Sequence, residues 1–201
     1  MSDNGRIIIE PARRGDASDI AVLTDTAAHG LPAHFWATAS DRQPGTSMLA
    51  VGRARVLRDE GNFSWRNTWV ARFDGDVAGA VLGYRQTEDF SEIDMDALPD
   101  LVRPLVQLEA QAPDCWYLNF ISVHPEHRNR GIGALLIDKA VECARETGAG
   151  EIALIVEDIN DAARRFYARM GFRERASRPF FPFPMAPLAK EWILTVRKLD
   201  G

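Results

Sequence analysis

Apolar and polar positions along the chain fall into segments of two periods. "RIIIEPARRGDASDIAVLTDTAAHG", residues 6–30, predicts a short strand, a turn and a helix. In that helix Ile20, Leu23 and Ala27 recur at helical spacing, and Asp16 or Ser18 stands where an N-cap is needed. Residues 31–60 predict helix in pieces, broken by Pro32 and by the turn signal Pro44-Gly45. In "TWVARFDGDVAGAVLGYR" two β-rich runs flank Asp74-Gly75-Asp76, the pattern of an antiparallel hairpin.

Residues 87–113 form an insert with an acidic start, "EDFSEIDMD", and a short helix in "LPDLVRPLVQLEAQAP" interrupted at Pro104. "CWYLNFISV" then predicts a buried strand and "GIGALLIDKAVECARETG" a helix. Ile132, Leu136, Ala140 and Cys143 share one face of that helix, while Asp138, Lys139, Glu142 and Arg145 point away. Gly148 is placed as its C-terminal glycine. "EIALIV" gives another buried strand, and "NDAARRFYARMGF" a helix ending at Gly171. A loop rich in Pro and Phe, "FFPFPMAPL", leads to the last strand, "EWILTVRKL". The order β-α-α-β-β-(insert)-β-α-β-α-β-loop-β, without repeat or flexible linker, predicts one mixed α/β domain over residues 1–201.

Composition narrows the class. A chain of 201 residues, 46% hydrophobic and 26% charged, can bury one sizeable core. A net charge of −5 argues against a nucleic-acid surface, which shows as a basic excess. Cys115 and Cys143 fit no zinc or CxxC spacing, and Cys143 reads as a buried free thiol. No apolar run approaches the roughly 20 residues of a membrane span. The apolar run in "MSDNGRIIIE" is too short for a signal sequence. The expected setting is cytoplasmic, with no membrane, nucleic acid or metal partner.

Chemistry concentrates at "VHPEHRNRGIGALLI", residues 123–137. A strand running straight into a helix leaves the first helical N–H groups without partners, and the helix dipole makes that end positive. Gly131 and Gly133 let an anion approach the backbone, and Arg128 and Arg130 add charge. The spacing Arg128-x-x-Gly131-x-Gly133 suits a pyrophosphate laid across a helix N-terminus. A Walker A loop would need Gly-Lys-Ser/Thr, and the dinucleotide fingerprint would need glycine where Leu136 stands. Downstream, "EDINDAARRFYARMGF" opens a helix at Asn160 and carries Tyr167 seven residues later on nearly the same face. Asn160 alone reads as an N-cap and Tyr167 alone as core.

Together "LNFISVHPEHRNRGIGALLI" and "ALIVEDINDAARRFYARMGF" resemble the GNAT family of acyl-CoA-dependent N-acetyltransferases. The resemblance is specific over about residues 117–173 and leaves the 87–113 insert and the 177–189 loop uncovered. It implies a mixed, mostly antiparallel sheet with two central splayed parallel strands, flanked by helices. It further implies acetyl-CoA as co-substrate, with backbone at Ile121, Ser122 and Val123 pairing with the pantetheine arm. Amides from Arg128, Asn129, Arg130, Gly131, Ile132, Gly133 and Ala134 would hold the pyrophosphate. Asn160, Ala163 and Phe166 would line the pantetheine groove, and Tyr167 would protonate the departing thiolate. A neutral phenol can donate that proton, and the amide of Ile121 or its neighbour can stabilise the oxyanion.

Relatives that carry a glutamate in the strand before the glycine turn have no counterpart in "CWYLNFISVHP", so the general base is open. Water relayed through a backbone carbonyl or Asn119, and Glu109 or Glu88 from the insert, are the alternatives, whereas His124 and His127 lie at the pyrophosphate end. The acceptor, a primary amine of a small molecule or peptide, would sit against residues 29–45, the insert and the loop. There Phe180, Phe181, Phe183 and Met185 form either an apolar lip or a plug pinned to the core. Trp36, Trp65 and Trp116 read as core or pocket. A CoA-binding sensor of the same fold is the alternative function, and an exposed edge strand near the C-terminus is compatible with a homodimer.

Overall fold

The tightest local signal in the chain is the two-residue turn Asp74-Gly75. The computed structural model, which describes residues 5–39, 41–184 and 188–199, places both residues at positive φ, 52° and 101°. These are the values a type I′ hairpin needs, and they close β2 (Thr68–Phe73) onto β3 (Asp76–Arg85), with Phe73 opposite Asp76. A bulge between Ala71 and Arg72 then shifts the register. Seven strands pair in the order β1-β2-β3-β4-β5-β7-β6. The sheet is mostly antiparallel. Its parallel register joins β4 (Trp116–Val123) to β5 (Glu151–Glu157) at Trp116–Ile152 and Tyr117–Ala153.

The chain forms two compact units, each built from two stretches of sequence. One comprises Met1–Gly83 and Phe120–Ala140, the other Tyr84–Asn119 and Val141–Gly201. In the first, β1 (Ile7–Pro11) pairs antiparallel with β2, and three helices follow β1: α1 (Ala17–Ala27), α2 (Leu31–Ala37) and α3 (Met48–Val56). That is one helix more than the sequence order predicts. Pro32 does not break a helix there; it occupies the first turn of α2, where a missing N–H costs nothing. Ile20, Leu23, Trp36, Val51 and Val56 are buried, and Trp36 lies so close over Gly52 that a Cβ there would fall 2.5 Å from its ring. Asp16 precedes α1, but its carboxylate makes no capping bond to that helix. It accepts from Arg13 N at 2.8 Å and from Arg72 at 2.9 and 3.0 Å, joining β2 to the turn after β1.

In the second unit, β5 pairs antiparallel with β7 (Glu191–Lys198), and β7 with β6 (Arg173–Pro179). As the edge strand, β6 reads "RERASRP". Alternating charge and a terminal proline disfavour further strand addition. The insert contains α4 (Arg103–Glu109), packed on β6 and β7 with Leu108 fully buried. Pro104, expected to interrupt this helix, begins it instead. The loop phenylalanines divide. Phe180 and Phe183 are buried, with the Phe180 ring 4.6 Å from Trp192 and 5.8 Å from Phe183, so they pin the loop to β7. Phe181 is 48% exposed, and Met185 lies outside the described residues. Trp36 and Trp116 are core, whereas Trp65 is half-buried under the Arg66 guanidinium, 4.6 Å from the ring centre. Among the described residues no helix is long and apolar enough to cross a membrane.

Candidate active site

The residues singled out from sequence fall into two groups, one in each unit. The first group ends β4 and opens α5 (Ile132–Glu146). Three features shape this loop. Pro125–His127 forms a single 3-10 turn, closed by His127 N to His124 O at 2.9 Å. Asn129 and Gly131 both take positive φ, 61° and 80°. The first helical bonds run to the carbonyl of Gly131, from Ala134 N at 3.0 Å and Leu135 N at 3.2 Å. Amides of Ile132 and Gly133 therefore precede the hydrogen-bonded ladder, at the positive end of a 15-residue helix. A Cβ built on Gly131 meets nothing within 4 Å, so the space beside that residue is open.

The two arginines are held differently from each other. Arg128 Nε donates to the carbonyl of Val123 at 3.1 Å, which ties the loop back to the end of β4. The Arg130 guanidinium stacks 4.6 Å over the Phe73 ring. His127 packs against the same ring at 5.3 Å, with Nδ1 buried and without a hydrogen-bond partner. The backbone of His124 donates to Ala78 O at 2.9 Å, so it anchors the strand end to β3. Ile121 and Val123 are half-buried and Ser122 is buried.

Gly79 was not singled out from sequence, yet it sets this strand end. A Cβ on it would lie 2.7 Å from Ser122 O and 3.2 Å from Val123 Cα. The available signal was a glycine inside an apolar strand run, which marks a close backbone approach.

The second group lies on α6 (Asp161–Arg169). Asn160 is its N-cap, with Oδ1 accepting from Ala163 N at 3.2 Å. Ala163 and Phe166 are half-buried and Tyr167 is buried, with ring centroids 5.6 Å from Phe166 and 5.7 Å from Phe172. Burial pushes the Tyr167 phenol well above its ordinary value, so it stays protonated at neutral pH. Gly171 at φ 87° ends the helix with Phe172 N donating to Tyr167 O at 3.0 Å.

The same unit gathers ionisable groups around the end of α4. Tyr117 of β4 favours the ionised form of the Glu109 carboxyl, and Asn119 that of the Tyr84 phenol of β3. The Tyr84 and Tyr117 rings are 5.8 Å apart. Burial raises the Glu109 carboxyl to about 7, against the opposing pull of Tyr117 and with a further push from Glu88. Cys115, buried beside them, is pushed up to about 12 by burial and is no nucleophile. Cys143, expected to be buried, is only half-buried: Val141 and Ala144 take the inward positions of α5 at that level.

Comparison with known proteins follows this geometry. The family model described as the acetyltransferase (GNAT) family matches residues 33–172. The chain belongs to the GNAT acetyltransferase family. A streptothricin acetyltransferase from Streptomyces lavendulae is 48% identical over 52 residues, 26% of this chain and 28% of that protein. The chain spans 28% to 63% of the length of the first curated relatives it matches. Among solved structures, an acetyltransferase aligns over 96% of this chain and 100% of its own, with TM-score 0.64 and 21% identity. The Salmonella typhimurium acetyltransferase yncA, solved with its cofactor acetyl-CoA, aligns over 98% and 95%, with TM-score 0.58 and 19% identity. At such identities the likeness is one of fold.

Proposed function

We propose that the chain is a single acetyltransferase domain that transfers the acetyl group of acetyl-CoA directly to a primary amine of a small molecule or peptide. The observation that carries this reading is the loop ahead of α5, with Gly131 left-handed, open space over it, and amides at Ile132 and Gly133 ahead of the helical ladder. A pyrophosphate is the ligand such a cradle fits, because it offers several oxygens to backbone donors and no side chain is required to bind it. Amides from Asn129 to Gly133 hold the pyrophosphate, since those of Arg128 and Ala134, expected in the cradle, donate instead to Pro125 O at 3.3 Å and Gly131 O at 3.0 Å. The backbone of Ile121 to Val123 pairs with the pantetheine arm as an added strand. Asn160, Ala163 and Phe166 contact the same arm. The likeness to an acetyl-CoA-bound fold and to a streptothricin acetyltransferase supports acetyl-CoA and an amine acceptor.

The reaction asks little of the side chains beyond proton handling and orientation. The neutral amine attacks the thioester carbonyl, and the amide of Ile121 or its neighbour donates to the oxyanion. As the C–S bond breaks, the Tyr167 hydroxyl gives its proton to the sulfur, and its buried ring holds that hydroxyl fixed. A sensor reading, in which CoA binds without transfer, draws on one feature: β4 has no Asp or Glu. Calorimetric titration with CoA tests the cradle. Binding by the native chain and its loss in Gly131→Val support the reading, and equal affinity in both removes the loop from it.

A further inference from the structure

Arg130 stands between two left-handed residues, Asn129 at φ 61° and Gly131 at φ 80°. A residue other than glycine carries backbone strain in that region, and it persists only where its surroundings hold it. Two tethers come from the base of the loop. Arg128 Nε donates to Val123 O at 3.1 Å, and Arg128 N donates to Pro125 O at 3.3 Å. Both act ahead of Asn129. A third hold reaches the left-handed stretch itself, and it comes from another strand. The Arg130 guanidinium stacks on Phe73, the last residue of β2, 4.6 Å from the ring centre.

Phe73 is built to act as a brace. It is buried, and its backbone lies opposite Ile7 of β1 on one side and Asp76 of β3 on the other. The tip of its ring abuts Gly5, where a Cβ would overlap it, so the ring has no room to swing that way. His127 packs on the same ring with centroids 5.3 Å apart. The imidazole Nδ1 is buried without a hydrogen-bond partner, so packing and not a bond at that nitrogen sets the ring. One side chain from β2 therefore holds the loop at His127 and at Arg130, on both sides of Asn129. All of these residues belong to the same compact unit. Stacking leaves the guanidinium charged, so Arg130 still contributes positive potential beside the loop amides.

We propose that Phe73 is a positioning residue for the cofactor: by holding His127 and Arg130, its ring keeps the Asn129 to Gly133 amides in the arrangement that receives a pyrophosphate. The proposal rests on the reading of this loop as a CoA cradle. Phe73 touches no part of the ligand. It acts through Arg130 and His127, and its effect belongs to binding of the pyrophosphate and not to the transfer step.

The test compares two ligands. Phe73→Leu keeps apolar bulk and removes the ring face. By calorimetric titration its Kd for CoA should rise about two- to fivefold, the range for loss of an exposed cation–π contact. Pantetheine, which lacks the pyrophosphate, is titrated by NMR and should bind Phe73→Leu as it binds the native chain. General damage to the fold would weaken both ligands alike. Arg130→Lys, at an exposed position, keeps the charge, loses the flat stack and leaves β2 untouched. It too should weaken CoA and spare pantetheine. Because the two residues act as one unit, the double variant should weaken CoA by less than the product of the single effects. Unchanged CoA affinity in either single variant, equal losses for CoA and pantetheine, or a double variant at the full product overturns the assignment. If the native chain does not bind CoA, the cradle reading fails and the role of Phe73 with it. Native binding that Phe73→Leu leaves intact removes Phe73 alone.

Discussion

A Cβ on Gly79 would lie 2.7 Å from the carbonyl oxygen of Ser122. This is backbone against backbone, so no side-chain rotation relieves it. Gly79 therefore sets how closely β3 approaches the end of β4, the segment proposed to hold the pantetheine arm. Gly79→Ala should destabilise the fold by about 1–3 kcal/mol, the usual cost of overpacking, as read from the midpoint of denaturant unfolding. CoA affinity should fall in the same variant. An unchanged midpoint would mean that the strands yield more easily than this contact implies.

Gly131 tests the cradle by a different route. At φ 80° it has open space where a side chain would go, so Gly131→Ala adds backbone strain of roughly 1–2 kcal/mol without a steric clash inside the protein. Gly131→Val adds bulk over the amides as well. CoA affinity should drop in the order native, Ala, Val, with Val at least about tenfold weaker if it forfeits one charge-assisted hydrogen bond. Isothermal titration of each variant gives that order or denies it.

Asn160 has a structural role that can be separated from a ligand role. Its Oδ1 caps α6 through Ala163 N at 3.2 Å. Asn160→Asp keeps the capping oxygen, whereas Asn160→Ala removes it and should cost about 1 kcal/mol. If the Asn160 amide also donates to the pantetheine arm, Asp will match the native thermal midpoint and still bind CoA more weakly. Equal CoA affinity in Asp and native protein would leave Asn160 as a cap only.

Stability should carry the mark of Glu109. Its carboxyl rises from 4.5 to about 7 on folding, chiefly by burial, so the protonated form is the one the fold favours. The contribution is fully present below pH 4.5 and is lost as pH rises through about 7. Native protein should therefore lose stability over that window relative to Glu109→Gln, which has no proton to lose. Urea midpoints of both proteins from pH 4 to 8 measure the difference, and parallel curves would show that the carboxyl titrates where a free one does.

What was legible in the sequence was local. The Asp74-Gly75 hairpin, the Gly131 loop, the Asn160 cap and the Gly148 and Gly171 helix ends each depend on a few adjacent residues, and the structure forms each of them. Pro32 and Pro104 were misread because proline is disruptive inside a helix and harmless in its first turn, and the sequence pattern does not separate the two. Cys143 was placed inward by a face count that ignored how Val141 and Ala144 share the turn. Glu109 was only one option among several for the base, because α4 meets β6 and β7 by packing and not by sequence spacing. Phe180 and Phe183 needed Trp192, distant in neither sequence nor space but on another strand, to show which way they turn.

Tyr167 separates chemistry from binding. Its ring is held by Phe166 and Phe172, so Tyr167→Phe removes the hydroxyl and keeps the packing. Turnover should fall about 10²- to 10⁴-fold, the range expected for loss of a general acid, while CoA affinity stays near native.

The central claim is acetyl transfer to an amine, and release of free thiol from acetyl-CoA measures it most directly. The native chain is offered acetyl-CoA with polyamines, aminoglycosides, amino acids, aryl amines and peptides in turn. The account predicts amine-dependent thiol release with at least one of these classes, matched mole for mole by N-acetylated product. Tight CoA binding without release above the amine-free rate for any of them would contradict it.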